Sequence, residues 1–483
     1  MMQSQFNRKL DGFRVLVAGL LATACIATAS AQQAPPQPGP PRPFQLPTPT
    51  SFSLPNGVQA TFLDFGVVPK VTILVSVRAG ALNEGDQTWL SDLTGDLMQE
   101  GTTGRSAEQI AQAAALMGGE VGIGAGADET SLSLDVLAEY GADAIELLAD
   151  ILTQPKLPES ELPRIKQNFL RNLSVSLTQP QAIAGAAFAE ALYPGHPYGK
   201  SYPSQAQLQS YSIQDIKSFY DSNFGARRTH VYVVGKFDHA LVEKAIRDHL
   251  GNWREGPEPL KMPPAASVPR TVKLIDRPNA PQSTLRVGLR VIDPTQPDFM
   301  SLSVANTLLG GVLTSRITMN LREAKGWAYS PGSGLATNYH QASWIENADV
   351  KAIKTGPALT EIFKELDTLR AEPPGQPELT AIKNYRNGTF VLSNSTRAGL
   401  LGQLTFMNLQ ELPQDWLTTW VERLYAVTPE QITQATHQYL DPAKMSVVVV
   451  GDLASVRKQI EAVKPLRGAL PKQSSRPGPQ LEK

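Results

Sequence analysis

The sequence predicts an α+β fold of two homologous halves, each a mainly antiparallel sheet with helices packed on one face. A repeated unit is the first observation behind this prediction. Ser212 opens SIQDIKSFYDSNFGARRTHVYVVG, and Thr428 opens TPEQITQATHQYLDPAKMSVVVVG. Each stretch has the spacing of a capping box, then a helix, then an apolar strand. Ser212 and Thr428 are 216 residues apart, and so are the closing Gly235 and Gly451, which indicates an internal duplication.

The second observation is the succession of strand and helix patterns within the first half. Residues 71–80, VTILVSVRAG, and 130–139, TSLSLDVLAE, have the apolar spacing of strands, whereas 107–119 and 141–152 have helical spacing. The glycine-rich GEVGIGAG at 119–126 lacks the Lys-Ser/Thr of a phosphate loop, so we interpret it as a hairpin or a flexible loop. Strands joined by helices and hairpins in a duplicated chain predict sheets covered by helices.

Length and composition set the domain boundaries. A chain of 483 residues with 41% hydrophobic content is long enough for two sizeable cores. We place the halves at 51–255 and 271–465, a proline-rich linker at 256–270, and an unstructured tail at 466–483. Lys plus Arg (44) nearly balance Asp plus Glu (45), and a net charge of −1 gives no reason to expect nucleic acid as a partner.

The first 31 residues have the pattern of a cleaved signal peptide. Three basic residues lead into an apolar run from Phe13 to Ile26, and a small-residue motif ends at Ala31. The run is shorter than the ~20 residues of a membrane span, so we expect no stable span; a short retained anchor is the alternative. A proline-rich tether follows at 32–50. These features predict secretion, in a bacterium to the periplasm, and leave open a lipid anchor on Cys25.

Three segments of the chain carry distinctive motifs: residues 77–110, VRAGALNEGDQTWLSDLTGDLMQEGTTGRSAEQI; residues 189–204, AEALYPGHPYGKSYPS; and residues 308–335, LLGGVLTSRITMNLREAKGWAYSPGSGL. In this order they resemble the pitrilysin-like metallopeptidases, the family of insulysin and the mitochondrial processing peptidase. The first segment looks like the family's first strand, zinc helix and following loop, and the second is similar to its ALY…HPYG segment. The third resembles the glycine-rich stretch and the Arg–Tyr element of the family's second half. The resemblance covers most of the chain.

The zinc motif of that family is degenerate in this sequence. The resemblance implies an inverted H-x-x-E-H on a helix, completed by a glutamate some 75 residues later. The histidine positions fall on Asp92 and Asp96 and the glutamate on Gly95, and no Asp or Glu lies between Glu161 and Glu190 for the third ligand. We therefore expect no metal in this chain. Asp92 and Asp96 are either structural or solvated carboxylates, or a weak site for a hard cation such as Ca²⁺.

The resemblance also implies that a second catalytic element survives. Arg322 and Tyr329 have the spacing of the pair that binds substrate carbonyls and stabilises the oxyanion opposite the family's zinc. The alternative is an ion pair for Arg322 and ordinary sheet packing for Tyr329. Gly310 and Gly311 either let the backbone approach a peptide closely or form a simple turn.

These expectations lead to one functional hypothesis and an alternative. The chain is predicted to be a zinc-less subunit of a heteromeric peptidase that lends Arg322 and Tyr329 to a zinc-bearing paralogue for peptide degradation or processing. In this hypothesis the zinc ion belongs to the partner. The alternative is an architectural or peptide-binding protein of the same fold with no role in hydrolysis.

Overall fold

The computed structural model describes residues 45–262, 265, 266, 268–468 and 470. The predicted signal peptide, Cys25, most of the predicted tether and the segment 471–483 lie outside the described residues. Within the described part of the chain, no helix is both long and apolar enough to cross a lipid bilayer.

Two sheets form the framework. The first consists of β1 to β6: Thr50–Ser53, Gln59–Asp64, Lys70–Val77, Gly122–Ala125, Thr130–Leu137 and Thr229–Gly235. The second consists of β7 to β11: Val272–Asp276, Gln282–Val291, Gly332–Asn338, Gln341–Lys351 and Ser446–Gly451.

Apart from the additional edge strand β1 of the first sheet, the two sheets have the same topology. The strand order is β1-β2-β6-β3-β5-β4 in the first and β7-β11-β8-β10-β9 in the second. In each, one pair is parallel, β2 with β6 and β7 with β11, and the remaining pairs are antiparallel. This identity confirms the predicted duplication and the mainly antiparallel sheets. The pairing of β4 with β5 confirms the hairpin interpretation of the glycine-rich stretch.

Fifteen longer helices accompany the sheets in the described residues. Those of the first half are α1 to α8: Leu90–Met98, Ala107–Leu116, Gly141–Thr153, Leu162–Ser176, Pro180–Leu192, Gln205–Ser210, Ile213–Asn223 and His239–Leu250. Those of the second half are α9 to α15: Phe299–Leu309, Thr355–Ala371, Gln376–Ser393, Arg397–Leu409, Trp420–Ala426, Pro429–Tyr439 and Leu453–Glu461. A short helical turn, Arg316–Thr318, continues into a π-helix, Met319–Ala324.

The repeated units fold as their sequences predict. Ser212 and Thr428 each cap a helix, and each hydroxyl accepts a hydrogen bond from the backbone N–H three residues on. The side chain at that third position accepts in return from the cap N–H, which completes a capping box in both halves. Two otherwise unpaired helix donors are satisfied at equivalent places, so the duplication extends to local hydrogen bonding.

The central strands β6 and β11 are buried on both faces. In β11, Val447 and Val449 belong to the core of the second half, whereas Val448 and Val450 point to the opposite face. That opposite face is covered by α5 of the first half through residues that include Phe188. The equivalent arrangement occurs at β6 in the first half. The face of β6 that points away from the first core packs against α12 and neighbouring segments of the second half.

The prediction that helices pack on one face of each sheet is therefore wrong. A strand with apolar residues in both phases has two faces to remove from water. Each half supplies helices for one face of its own sheet and receives a helix from the other half for the second face. The two halves are therefore held together by these exchanged helices as well as by the linker.

Polar contacts reinforce the exchange. Arg397 at the start of α12 reaches the first sheet, where its Nη2 lies 2.9 Å from Asp135 Oδ1 and its Nε donates to Thr72 Oγ1 at 2.9 Å. Gln181 at the start of α5 donates to Asp349 Oδ2 of the second sheet at 3.0 Å. Each exchanged helix is thus bound to the sheet of the other half through a carboxylate on one of that sheet's inner strands.

Two predicted boundaries need correction. Leu466, assigned to an unstructured tail, ends the 3₁₀ turn Lys464–Leu466 and is fully buried in the second core. Thr50, assigned to the tether, begins β1. Both segments contain a hydrophobic residue beside many prolines and polar residues, so composition alone places the boundaries wrongly.

We predict that Phe188→Ala weakens the union of the halves. Phe188 is 3% exposed and lies on α5 in the apolar cluster with Val448 and Val450. Removing a buried aromatic side chain costs about 3–5 kcal/mol, so the free energy of unfolding in urea should fall by about that amount. Val175→Ala on α4, where the side chain is 61% exposed, is the matched control and should change it by less than about 0.5 kcal/mol. Equal urea midpoints for the two variants would contradict the claim that packing of α5 on the second sheet stabilises the protein.

Candidate functional site

The helix α1 occupies the predicted zinc-helix position and begins in an unusual way. Trp89, which precedes it, has a left-handed backbone with φ of 71°. Glu84 serves as the cap: its carboxylate accepts from the N–H of Trp89 at 3.1 Å, and from the N–H and hydroxyl of Ser91 at 2.8 and 2.5 Å. A carboxylate at a helix N-terminus satisfies free N–H groups and complements the helix dipole. Glu84 is 7% exposed and was missed from the sequence.

Asp92 and Asp96 lie one turn apart on the same face of α1, as their spacing predicts. Burial raises the pKa of Asp92 to about 7, and the neighbouring carboxylates of Glu84 and Asp96 act in the same direction. Burial also raises the pKa of Asp96, with Glu100 adding to the effect and Arg164 opposing it. The face that would hold zinc in a catalytic relative therefore carries partly buried acids that resist ionisation.

The residues of this face do not fit a zinc ion. Zinc sites in proteins are built mainly from imidazole or thiolate ligands, and this face offers two aspartates with neither. Gly95 is buried, and a Cβ on it would lie 3.5 Å from Ile123 Cγ2 of β4, so the position of the general base is part of the packing. Helix α4, expected to carry the third ligand, does pack against α1. Among the described residues, no three His, Cys, Asp or Glu side chains form a group suited to a metal.

Arg322 and Tyr329 are brought together by the structure. Arg322 lies in the π-helix Met319–Ala324, and its guanidinium carbon is 5.3 Å from the centre of the Tyr329 ring. Tyr329 is 80% exposed and lies outside the strands, so the alternative of ordinary sheet packing is wrong. The ion pair of the other alternative does exist, since Arg322 Nε lies 3.1 Å from Glu323 Oε1. The pair presents a cation and a phenol hydroxyl at the surface.

Gly310 and Gly311 end the helix α9. A Cβ on Gly310 would lie 2.5 Å from the backbone nitrogen of Ser333 and 2.8 Å from Glu346 Oε2. A Cβ on Gly311 would lie 2.9 Å from Thr307 Cα. Both glycines therefore have an internal reason to lack a side chain: at Gly310 it is the close approach of α9 to β9 and β10, and at Gly311 it is contact with the last turn of α9 itself. Their contact with a peptide stays a prediction.

Glu346 is a second buried acid that sequence reasoning missed. It is fully buried on β10, and neither carboxylate oxygen makes a hydrogen bond of normal geometry in the described part of the chain. Burial raises the pKa of Glu346 well above its usual value, and the backbone N–H of Gly332 opposes this. The sequence did carry a signal, since Glu346 stands in the apolar phase of a strand between Trp344 and Ala348.

Two profiles of one protein family match the chain. The profile described as insulinase (peptidase family M16) matches residues 67–203, and the profile described as peptidase M16 inactive domain matches residues 210–385. Together they span more than half of the chain, which belongs to the M16 family of peptidases. This confirms the resemblance to pitrilysin-like metallopeptidases.

Individual relatives agree with this assignment. An uncharacterized zinc protease of Mycobacterium leprae is 24% identical over 411 residues, which cover 83% of this chain and 92% of the relative. A solved peptidase M16 inactive domain from Pseudomonas fluorescens has a TM-score of 0.79 at 24% identity, covering 83% of this chain and 98% of that one. The periplasmic protease PqqL of Escherichia coli has a TM-score of 0.73 at 17% identity, covering 86% and 47%. At such identities the structural likeness shows the fold.

We predict that Asp92→Asn removes part of the pH dependence of stability. The folded pKa of about 7 lies above the usual 3.8, so the native state holds an extra proton between these values and loses stability as the pH rises through them. At pH 8 the variant should exceed the wild type by at most about 4 kcal/mol, since one pKa unit equals about 1.4 kcal/mol. The gain should shrink towards pH 4. Urea unfolding at both pH values measures it, with exposed Glu120→Gln as control; a gain that does not depend on pH would contradict the assignment.

We predict that Glu346→Gln stabilises the protein at alkaline pH. The amide has nearly the shape of the acid but carries no charge, whereas ionised Glu346 would have no salt-bridge partner among the described residues. Because the folded pKa is raised, the wild type loses stability as the pH rises above the unfolded value. The thermal midpoint at pH 8 should rise by at least ~4 °C in the variant. Scans at pH 5 should show a smaller difference, and parallel pH profiles for both proteins would refute a buried neutral acid.

Proposed function

We propose that the protein is a zinc-less subunit of a heteromeric M16 peptidase and lends Arg322 and Tyr329 to the zinc site of a catalytic partner. The observation that carries this proposal is the exposed pair itself. Two polar groups that could hydrogen-bond a substrate lie side by side at the surface, while the helix that would hold zinc has no ligand set for it. One catalytic element is retained and the other is lost.

The chemistry of the pair suits peptide hydrolysis in trans. A guanidinium stays charged at all physiological pH values, and a phenol donates its O–H without having to lose the proton. Both groups can donate to a peptide carbonyl and stabilise the negative charge that develops on its oxygen when water attacks. The ion pair between Arg322 and Glu323 does not prevent this, because an exposed ion pair contributes about 0–1 kcal/mol and is readily exchanged for a substrate contact.

In this proposal the first half has no catalytic role and contributes structure or substrate contacts. Helix α1 keeps its apolar face, with Leu93, Leu97 and Met98 fully buried in the first core. The face with Asp92 and Asp96 becomes a wall of the peptide chamber or a surface that contacts substrate. We place the complex in the bacterial periplasm, supported by the signal-like start of the sequence and by the periplasmic protease of the same fold.

Co-expression with a zinc-bearing M16 paralogue tests the proposal. In the purified complex, Arg322→Ala and Tyr329→Phe should each lower kcat for a fluorogenic peptide by about 100-fold, the usual effect of removing an oxyanion donor. Exposed Arg171→Ala and Tyr385→Phe are the matched controls and should leave kcat unchanged. Gel filtration must show that all four variants still bind the paralogue.

The alternative function gives a different result. If the protein is architectural, or captures peptides without a role in hydrolysis, the Arg322 and Tyr329 variants will match their controls in kcat. The proposal then fails even if the complex forms.

A further inference from the structure

The segment that carries Arg322 is wound as a π-helix, Met319–Ala324, and the described residues contain no second π-helix. In a π-helix the backbone hydrogen bonds join residues five apart. This form is rare, appears mostly as a single turn, and is frequent at functional sites. Contacts of the neighbouring side chains with two other helices account for its presence here.

Both polar atoms of the Asn320 side chain are bound, two residues before Arg322. Its Nδ2 donates to Glu361 Oε2 at 2.9 Å and to Glu365 Oε1 at 2.6 Å. These two acids lie one turn apart on α10. Its Oδ1 accepts from Lys325 Nζ at 2.8 Å. A single amide therefore joins the π-helix to α10 and also bridges the π-helical segment from one end to the other.

The bond between Asn320 and Lys325 suits the wide turn of a π-helix. The two residues are five positions apart, the spacing of a π-helical hydrogen bond, so this form brings their side chains to the same side. In an α-helix of 3.6 residues per turn, positions five apart differ by about 140° around the axis, and the side chains would diverge. The bond therefore favours the π-helical form over the α-helical one.

Charge strengthens the contact with α10. Burial favours the neutral form of Glu361, but the bond from Asn320 and the charge of Lys325 outweigh burial and hold the pKa of Glu361 below its usual value. Lys325 Nζ lies 3.5 Å from Glu361 Oε1. The carboxylate is therefore ionised at neutral pH, and hydrogen bonds to an ionised acceptor are stronger than those between neutral groups.

A second contact holds the turn that precedes the π-helix. Arg316 Nε and Nη2 donate to the two carboxylate oxygens of Glu378 at 2.8 and 2.7 Å. A bidentate pair of this kind fixes the relative direction of both side chains. Because Glu378 lies on α11, the segment is attached to two separate helices, α10 and α11.

The guanidinium of Arg322 takes no part in these attachments. Residues two positions apart on a helix do not face the same way, so Arg322 points away from the side on which Asn320 meets α10. Within the described residues its side chain contacts the exposed carboxylate of Glu323 and the ring of Tyr329. The backbone at Arg322 is thus held firmly while its guanidinium stays accessible. A group that must meet a substrate carbonyl at a fixed place needs this combination.

We propose that Asn320 and Lys325 are positioning residues, which hold the π-helical segment in the form that aims the Arg322 guanidinium at the substrate carbonyl. This inference rests on the proposed function of Arg322 in the complex with a zinc-bearing paralogue. It identifies the residues of this chain on which that function depends. Neither residue touches the substrate, since both act through Arg322.

Asn320→Leu in the complex with the zinc-bearing M16 paralogue tests the proposal. Leucine keeps the branched shape of asparagine but forms none of its hydrogen bonds. The kcat for the fluorogenic peptide should fall at least about tenfold, because a misplaced group loses much of its effect on the transition state. In an Arg322→Ala background the same change should leave kcat within about twofold. A loss of folded protein would instead lower kcat by the same factor in both backgrounds.

Lys325 provides a second pair of variants at a partly exposed position, and these decide the matter if Asn320→Leu does not assemble with the paralogue. Lys325→Met removes the ammonium group and should lower kcat about fivefold, the effect of losing one hydrogen bond. Lys325→Arg keeps a charged donor and should retain at least about half of the wild-type kcat. The matched control is Asn384→Leu, which breaks the 2.8 Å hydrogen bond from the Tyr425 hydroxyl and should leave kcat unchanged.

The outcomes separate this inference from the proposed function. If Arg322→Ala lowers kcat but Asn320→Leu does not, the positioning role is overturned and the proposed function stands. The positioning role is also overturned if the two effects multiply in the double variant, if Lys325→Arg loses as much activity as Lys325→Met, or if Asn384→Leu is equally impaired. If Arg322→Ala itself leaves kcat unchanged, both proposals fail.

Discussion

The burial of both faces of the central strands β6 and β11 is the constraint on which the rest of the structure depends. A strand whose central residues are apolar in both phases cannot leave one face in water, and the helices of its own half cover only one face. Helices α5 and α12 cross between the halves to cover the other. The consequence is a chain whose two duplicated units cannot be separated without exposing two apolar clusters.

The helix at the predicted zinc position keeps its shape through contacts within its own half. Helix α1 is held by the buried side chains of its inner face and by the Glu84 carboxylate at its start, and none of these contacts involves a metal. Replacing imidazoles by carboxylates changes the electrostatics instead. Burial raises the pKa of both Asp92 and Asp96, with Glu84 adding to the effect at Asp92 and Glu100 at Asp96, so ionising these acids costs stability as the pH rises.

The fold was largely predictable because its signals are local or periodic. Capping boxes, glycine stops and apolar alternation each depend on residues close in sequence, and the repeat at 216 residues shows the duplication directly. The site was predictable in part. Asp92, Gly95 and Asp96 could be placed on one helix, and Arg322 and Tyr329 were found through family resemblance. Glu84 and Glu346 were missed because burial is a property of the packed chain.

By itself, the sequence determined many of the strands and helices and the duplication of the chain, since both follow from residue type and spacing, which act over a few residues. The replacement of the zinc ligands is what the resemblance to the family implies. The tertiary structure alone decided that each half covers the other's sheet, that Tyr329 is exposed beside Arg322, and that Glu346 is fully buried. Those outcomes depend on contacts between segments 100 residues or more apart, or on how much water reaches a side chain, and no local pattern encodes either.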